Sequence, residues 1–191
     1  MSQARPSAGP ETSRERGRSL VSAALIGVAV MAAVDEIVFH QLLGWHHFFD
    51  RSTPAIGLLS DGLLHTAELL ALVAGFVMWA DLRRRRALSA AHARAGLLIG
   101  AGGFQLFDGL IDHKVLRVHQ IRYDVPDLLP YDLVWNGAAL VLLGAGLVLA
   151  LRARRADPHP RPATGPGTGS GSGTGSGSGA GPEAGSEAGG R

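Results

Sequence analysis

The sequence predicts an all-α fold, a four-helix transmembrane bundle with disordered N- and C-terminal tails. Three observations predict it. Four apolar runs, at about 20–45, 56–80, 93–116 and 131–151, each have the length that crosses a bilayer. Arginine clusters flank them at alternate ends. Residues 1–17 and 156–191 are instead polar, rich in Gly, Ser and Pro and without apolar periodicity, which leaves 18–155 as one transmembrane domain between two tails.

The first run follows Arg14, Arg16 and Arg18 and continues to Trp45. A cleaved signal peptide ending near Ala32 and Ala33 is the competing reading, but apolar residues continue past that point from Ile37. Trp45, His46, His47, Phe48 and Phe49 suit an interfacial belt before a turn at Pro54. The second run ends at Trp79 and is followed by a cationic loop containing Arg83, Arg84, Arg85 and Arg86, a topology determinant and a contact for anionic lipids. In the third run, Gly96 and Gly100 with Gly102 and Gly103 would let a neighbouring helix approach closely. A polar loop with Tyr123, Pro126 and Pro130 leads to the fourth, which ends at Arg152, Arg154 and Arg155. The arginines fall on one side of a four-span topology, and the positive-inside rule makes that side cytoplasmic: a multi-pass protein of the plasma (inner) membrane with both termini cytoplasmic.

The apolar runs carry acids and histidines. A charged group at membrane depth costs about 2.5–3.5 kcal/mol on insertion scales, so such groups are paired, protonated or metal-bound. Run one offers Asp35, Glu36 and His40; run two Asp61, His65 and Glu68; run three Gln105, Asp108 and Asp112, with His113 beside them; run four begins with Asp132 and Asn136. All lie toward the outer end, where Glu36 and Glu68 are each about ten residues, roughly 15 Å of helix rise, from the interface. Apart from Arg94 and Lys114 at the two edges of run three, no Lys or Arg lies within the apolar spans to neutralise the acids, and Lys114 is the nearer. Four-helix bundles build metal sites from carboxylates and histidines projecting off facing helices. With no cysteine in the chain, a metal must be held by His nitrogen and carboxylate oxygen, which suits Zn, Fe, Mn or Cu. We therefore expect Glu36, His40, Asp61, His65, Asp108 and Asp112 as metal ligands, with Asp35, Glu68, Gln105, His113, Asp132 and Asn136 supporting them or handling protons. Asp61 and Asp132, near expected helix starts, could instead serve as N-caps. His46, His47 and His119, in or beside loops, read as interfacial.

The segments Asp35-Glu36-Ile37-Val38-Phe39-His40-Gln41-Leu42-Leu43-Gly44-Trp45-His46-His47, Asp61-Gly62-Leu63-Leu64-His65 and Asp108-Gly109-Leu110-Ile111-Asp112-His113 resemble the hallmark segments of an uncharacterised bacterial family of predicted four-span membrane proteins, a domain of unknown function. The resemblance covers about 20–151 and implies architecture and membrane location, but no activity or ligand. In that pattern histidines often stand where this chain has Lys114 and Gln120, which turns attention to the intramembrane residues.

These features lead to a divalent-metal site in the outer half of the bundle, used for metal-dependent hydrolysis of an amphipathic substrate or for redox or metal handling; they leave open whether the protein is an enzyme. A proton- or cation-coupled transporter, an accessory subunit, or a haem protein with His40 and His65 as axial ligands would use the same residues, although the crowd of acids suits an anionic porphyrin less well. Expected partners are the bilayer, anionic lipids at the 83–86 cluster, and a second copy or a membrane-complex partner. Nucleic acid is not among them, because the arginines flank apolar runs rather than forming a basic face with interleaved aromatics.

Overall fold

A computed structural model describes residues 10–157; most of the two expected tails, 1–9 and 158–191, lies outside them. The described chain is four antiparallel-connected helices. Helix α1 spans Pro10–Asp35 and continues as a π-helical stretch, Glu36–Leu42. Helix α2 spans Pro54–Arg84. Helix α3 spans Ala90–Phe107 and likewise continues as a π-helix, Asp108–Leu116. Helix α4 spans Leu129–Ala156. The α1, α2 and α4 helices are long and apolar enough to cross a membrane. Among the described residues the helices pack in a row, α2 on α1, α1 on α3 and α3 on α4.

Small residues set this order. On α1 the buried apolar side chains are Ala23, Ile26, Ala29 and Ala32, one stripe at helical spacing. A Cβ added at Gly27 would collide with the Leu97 carbonyl, at Gly96 with that of Leu20 and at Gly100 with that of Ala24, so the α1 and α3 backbones touch. Gly102 serves the same purpose against α4, whereas Gly103 faces open space. Helix α2 buries a single seam, Gly57, Asp61, Glu68, Gly75 and Leu82, and exposes Leu58, Leu63, Leu70, Val73 and Val77 on a face suited to lipid.

Helix boundaries differ from the sequence-based ones where side chains close the ends. Helix α1 begins at Pro10, so residues 10–17 are helical: Arg16 pairs with Asp157 and Arg18 with Asp81, each at 3.2 Å, tying this turn to the ends of α4 and α2. The α2 helix starts at Thr53, whose Oγ1 accepts from the Ile56 amide at 3.4 Å. Asp61 therefore lies two turns inside and is not the cap; Asp132 sits in the first turn of α4 and pairs with Lys114 at 2.7 Å. These contacts gather the arginine clusters at one end of the bundle. The 43–53 and 117–128 loops close the other, joined by Asp50 N–H donating to the Val118 carbonyl and by Arg122 stacked 4.7 Å from Trp45.

The two halves of the chain repeat one another. Leu25, Ile26, Gly27, Asp35, His40, Leu43 and His46 recur 73 residues later as Leu98, Ile99, Gly100, Asp108, His113, Leu116 and His119. The geometry repeats with the residues. Both Asp–His segments are π-helical, and each ends in a left-handed residue at the same offset, Gly44 at φ 57° and Arg117 at φ 53°. Gly75 meets Ile26 and Ser22 as Gly146 meets Ile99 and Ala95, their equivalents. The α1–α2 and α3–α4 pairs are thus related by a pseudo-twofold axis running between α1 and α3. A side chain in the left-handed region carries a steric cost that glycine avoids. Arg117→Gly is accordingly expected to stabilise the protein by about 1 kcal/mol, read as a higher thermal midpoint in detergent; an unchanged or lower midpoint would contradict the backbone geometry.

Candidate metal centre

The two π-helical stretches bring the site together. With i→i+5 bonding, Asp35 and His40 fall on one face, as do Asp108 and His113; π-turns of this kind are frequent at functional sites. His40 Nε2 lies 3.6 Å from Asp35 Oδ2, and His113 Nε2 lies 3.3 Å from Asp108 Oδ2. The left-handed residues then turn the chain so that the following histidines, His46 and His119, fold back over the axis. Their rings stack at 4.6 Å and 4°. His46 Nδ1 lies 3.0 Å from the Ile121 carbonyl and His119 Nδ1 lies 2.9 Å from the Phe48 carbonyl, a reciprocal exchange between the two loops.

That exchange fixes the tautomers. A carbonyl accepts only, so each Nδ1 carries a proton, and in the neutral ring Nε2 turns a lone pair inward. The Nε2 atoms of His46 and His119 and both nitrogens of His113 are buried and make no hydrogen bond. Buried polar atoms seldom go unpaired, and an imidazole held through its other nitrogen is the usual arrangement of a metal ligand. Donor atoms of His46, His113 and His119 lie within 4.8 Å of one another, as do those of Asp35, His40 and His46 and those of Glu36, His40 and Asp61. Burial first, then the neighbouring His119, His40 and His113 rings, push His46 down to about 2, so it is neutral. For His119 burial disfavours the charge, but Asp108, 3.3 Å from its Nε2, with the Phe48 carbonyl and Asp112, raises the ring above its ordinary value, so a metal bound at this Nε2 would have to displace a proton.

Of the expected ligands, Glu36, His40 and Asp61 come together: His40 Nδ1 lies 2.7 Å from Glu36 Oε2 and 3.2 Å from Asp61 Oδ1. Asp108 lies beside His113 and His119 and accepts from Trp135 Nε1 at 3.1 Å. Asp112 is buried one turn beyond it. His65 is not brought in. It sits on the exposed flank of α2 with Nδ1 2.5 Å from Glu68 Oε1, outside all three groups, and so does not join His40 in a pair of ring ligands. Among the residues expected to support the site, Asp35 joins one group and His113 another. Gln105 instead ties α3 to α4 by donating to the Trp135 carbonyl at 2.9 Å, and Asn136 donates to the Asp132 carbonyl, also at 2.9 Å. Lys114 and Gln120 meet each other at 3.3 Å.

The interfacial reading of His46 and His119 and the supporting role of His113 are corrected here: the three form one of the buried groups whose donor atoms converge, and the one made of imidazoles alone. The signal for them was in the sequence as the twice-repeated spacing Asp-x4-His-x5-His, 35-40-46 and 108-113-119.

Fold and site together define a class: a four-helix membrane protein, built as an internal repeat, with histidine and carboxylate groups able to hold a metal ion across its pseudo-twofold axis. Residues 22–153 match the family described as Predicted membrane protein (DUF2243), and the chain belongs to it. No curated protein and no solved structure matches the chain.

Proposed function

We propose that this protein is a membrane metalloprotein that holds a transition-metal ion on its pseudo-twofold axis through His46, His113 and His119, and uses it on an amphipathic substrate. One observation carries the reading: three buried imidazoles from both repeats converge with unpaired nitrogens, two of them oriented by backbone carbonyls. An imidazole-rich set suits Zn, Cu or Fe. The bound ion would supply Lewis acidity for hydrolysis or, as Fe or Cu, electron transfer. Asp108 lies 3.3 Å from Nε2 of both His113 and His119 and would orient them, while Asp112, buried and acting on His119, is placed to take a proton.

Two openings support an amphipathic substrate. A hollow of about 410 Å³ at the loop end is lined by Gly44, Trp45, His46, His47, Asp50, Tyr123 and Asp124. A cleft of about 360 Å³ opens sideways between α1 and α2, lined by Glu36, Ile37, Gln41, Leu58, Asp61, Gly62 and His65. The second gives a lipid-soluble molecule a polar end-point at bilayer depth. Transport is less well supported, because from Ala23 to Ala32 the buried side chains of α1 are all apolar and its backbone touches α3. The arginine-rich end would face the cytoplasm and the metal the outer side of a bacterial plasma membrane.

Metal analysis by mass spectrometry on detergent-purified full-length protein tests the reading. The wild type is expected to carry metal, His113→Ala and His119→Ala to lose the ion held by the imidazoles, and His65→Ala to keep it. Folded wild-type protein that is metal-free and resists loading with Zn, Cu or Fe would overturn it.

A further inference from the structure

The two repeats match at Asp, His and His but part company around His40. Glu36 has Gly109 as its counterpart, 73 residues on. In α2 and α4, where the glycine contacts correspond at an offset of 71, Asp61 has Asp132 as its counterpart. In the second repeat this arrangement is closed: Lys114 Nζ sits 2.7 Å from Asp132 Oδ2, and a Cβ at Gly109 would strike Asn136 and Trp135. In the first repeat it is open. His40 Nδ1 and Glu36 Oε2 face each other at 2.7 Å but out of hydrogen-bonding alignment, His40 Nε2 has no hydrogen bond, and His40, Glu36 and Asp61 are each no more than 3% exposed.

We infer that Glu36, His40 and Asp61 form a second divalent-cation site, present in the first repeat only, so that the centre holds two ions of different character. This extends the metal-centre reading and rests on it. Two carboxylates and one imidazole make a harder donor set than three imidazoles, suited to Mn(II), Fe(II) or Zn(II). Asp61 is oriented for the task from behind: His47 Nδ1 lies 2.6 Å from Oδ2, and the Phe48 amide donates to Oδ1 at 2.7 Å. Gln41 Nε2 donates to Glu36 Oε1 at 2.8 Å, leaving Oε2 for the ion. Asp35, grouped with His40 and His46, lies between the two sites.

Charge points the same way. Asp35, Glu36, Asp61, Asp108 and Asp112 are buried, and none of them pairs with a Lys or Arg among the described residues. One divalent ion offsets two of these charges and a second offsets two more. The sideways cleft lined by Glu36, Asp61 and His65 reaches this site directly, so the second ion lies on the substrate's path.

The test is the stoichiometry of Mn(II) and Zn(II) bound by chelator-stripped, full-length protein in detergent, measured after desalting. Wild type is expected to bind two ions per chain, and Glu36→Gln, Asp61→Asn and His119→Ala one each. Either carboxylate variant suffices if the other fails to fold, as judged by elution and thermal midpoint. Wild type that binds a single ion, kept in Glu36→Gln and lost in His119→Ala, overturns the second site and leaves the imidazole site standing. Wild type that binds none overturns both.

Discussion

Gly27→Val and Gly100→Val are each expected to destabilise the protein by more than about 3 kcal/mol, and together to prevent the bundle from forming. The added side chain has no route out, because the obstructing atoms are backbone: the Leu97 carbonyl and Ala101 nitrogen for Gly27, the Ala24 carbonyl for Gly100. Relief would need the α1 and α3 axes to separate, and these helices carry the two Asp–His segments. The proposed metal site would therefore open with the seam. In a protein of this size such a loss lowers the thermal midpoint by about 10 °C, measurable by circular dichroism in detergent. Gly103→Ala is the control, with nothing within 4 Å of its added Cβ, and should be neutral or slightly stabilising. A Gly27→Val protein melting like the wild type would mean that α1 and α3 do not touch.

Asp35→Asn should act in opposite directions on the metal-free and metal-loaded protein. Asp35 is buried among Glu36, Asp61, Asp108 and Asp112, and its nearest basic partner is the His40 ring at 3.6 Å. Amide for carboxylate keeps the shape and removes one of several like charges held out of water. Chelator-stripped Asp35→Asn is expected to be more stable than stripped wild type by about 1–2 kcal/mol, a few degrees in midpoint. Metal affinity should fall about 10- to 100-fold, the usual cost of losing a carboxylate beside a metal site. Should the variant instead be less stable in both states, Asp35 would be a structural hydrogen-bonding residue and its place in the centre would fail.

The four helices, their antiparallel order, the gathering of arginines at one end and the polar residues near the other can all be read from the amino-acid order. Those features are local: the length of an apolar run, the position of a charge and the period of a helix are set within a few turns. Glycine packing was legible too, because Gly96 and Gly100 stand one turn apart on one face, and the structure uses both. Which polar residues meet depends on how the helices dock. Asp61, His65 and Glu68 look like one stripe at ordinary helical spacing, but α2 docks along Gly57 and then every seventh residue, Asp61, Glu68, Gly75 and Leu82, which leaves His65 on the flank. His46 and His119 read as loop residues because nothing local shows that a π-helical turn, ended by a left-handed residue, folds each back over the axis. Their nitrogens are aimed by carbonyls in the opposite repeat, Ile121 for His46 and Phe48 for His119. A donor set assembled from two repeats exists only once α1 and α3 are in contact, because its orientation comes from hydrogen bonds that cross between them.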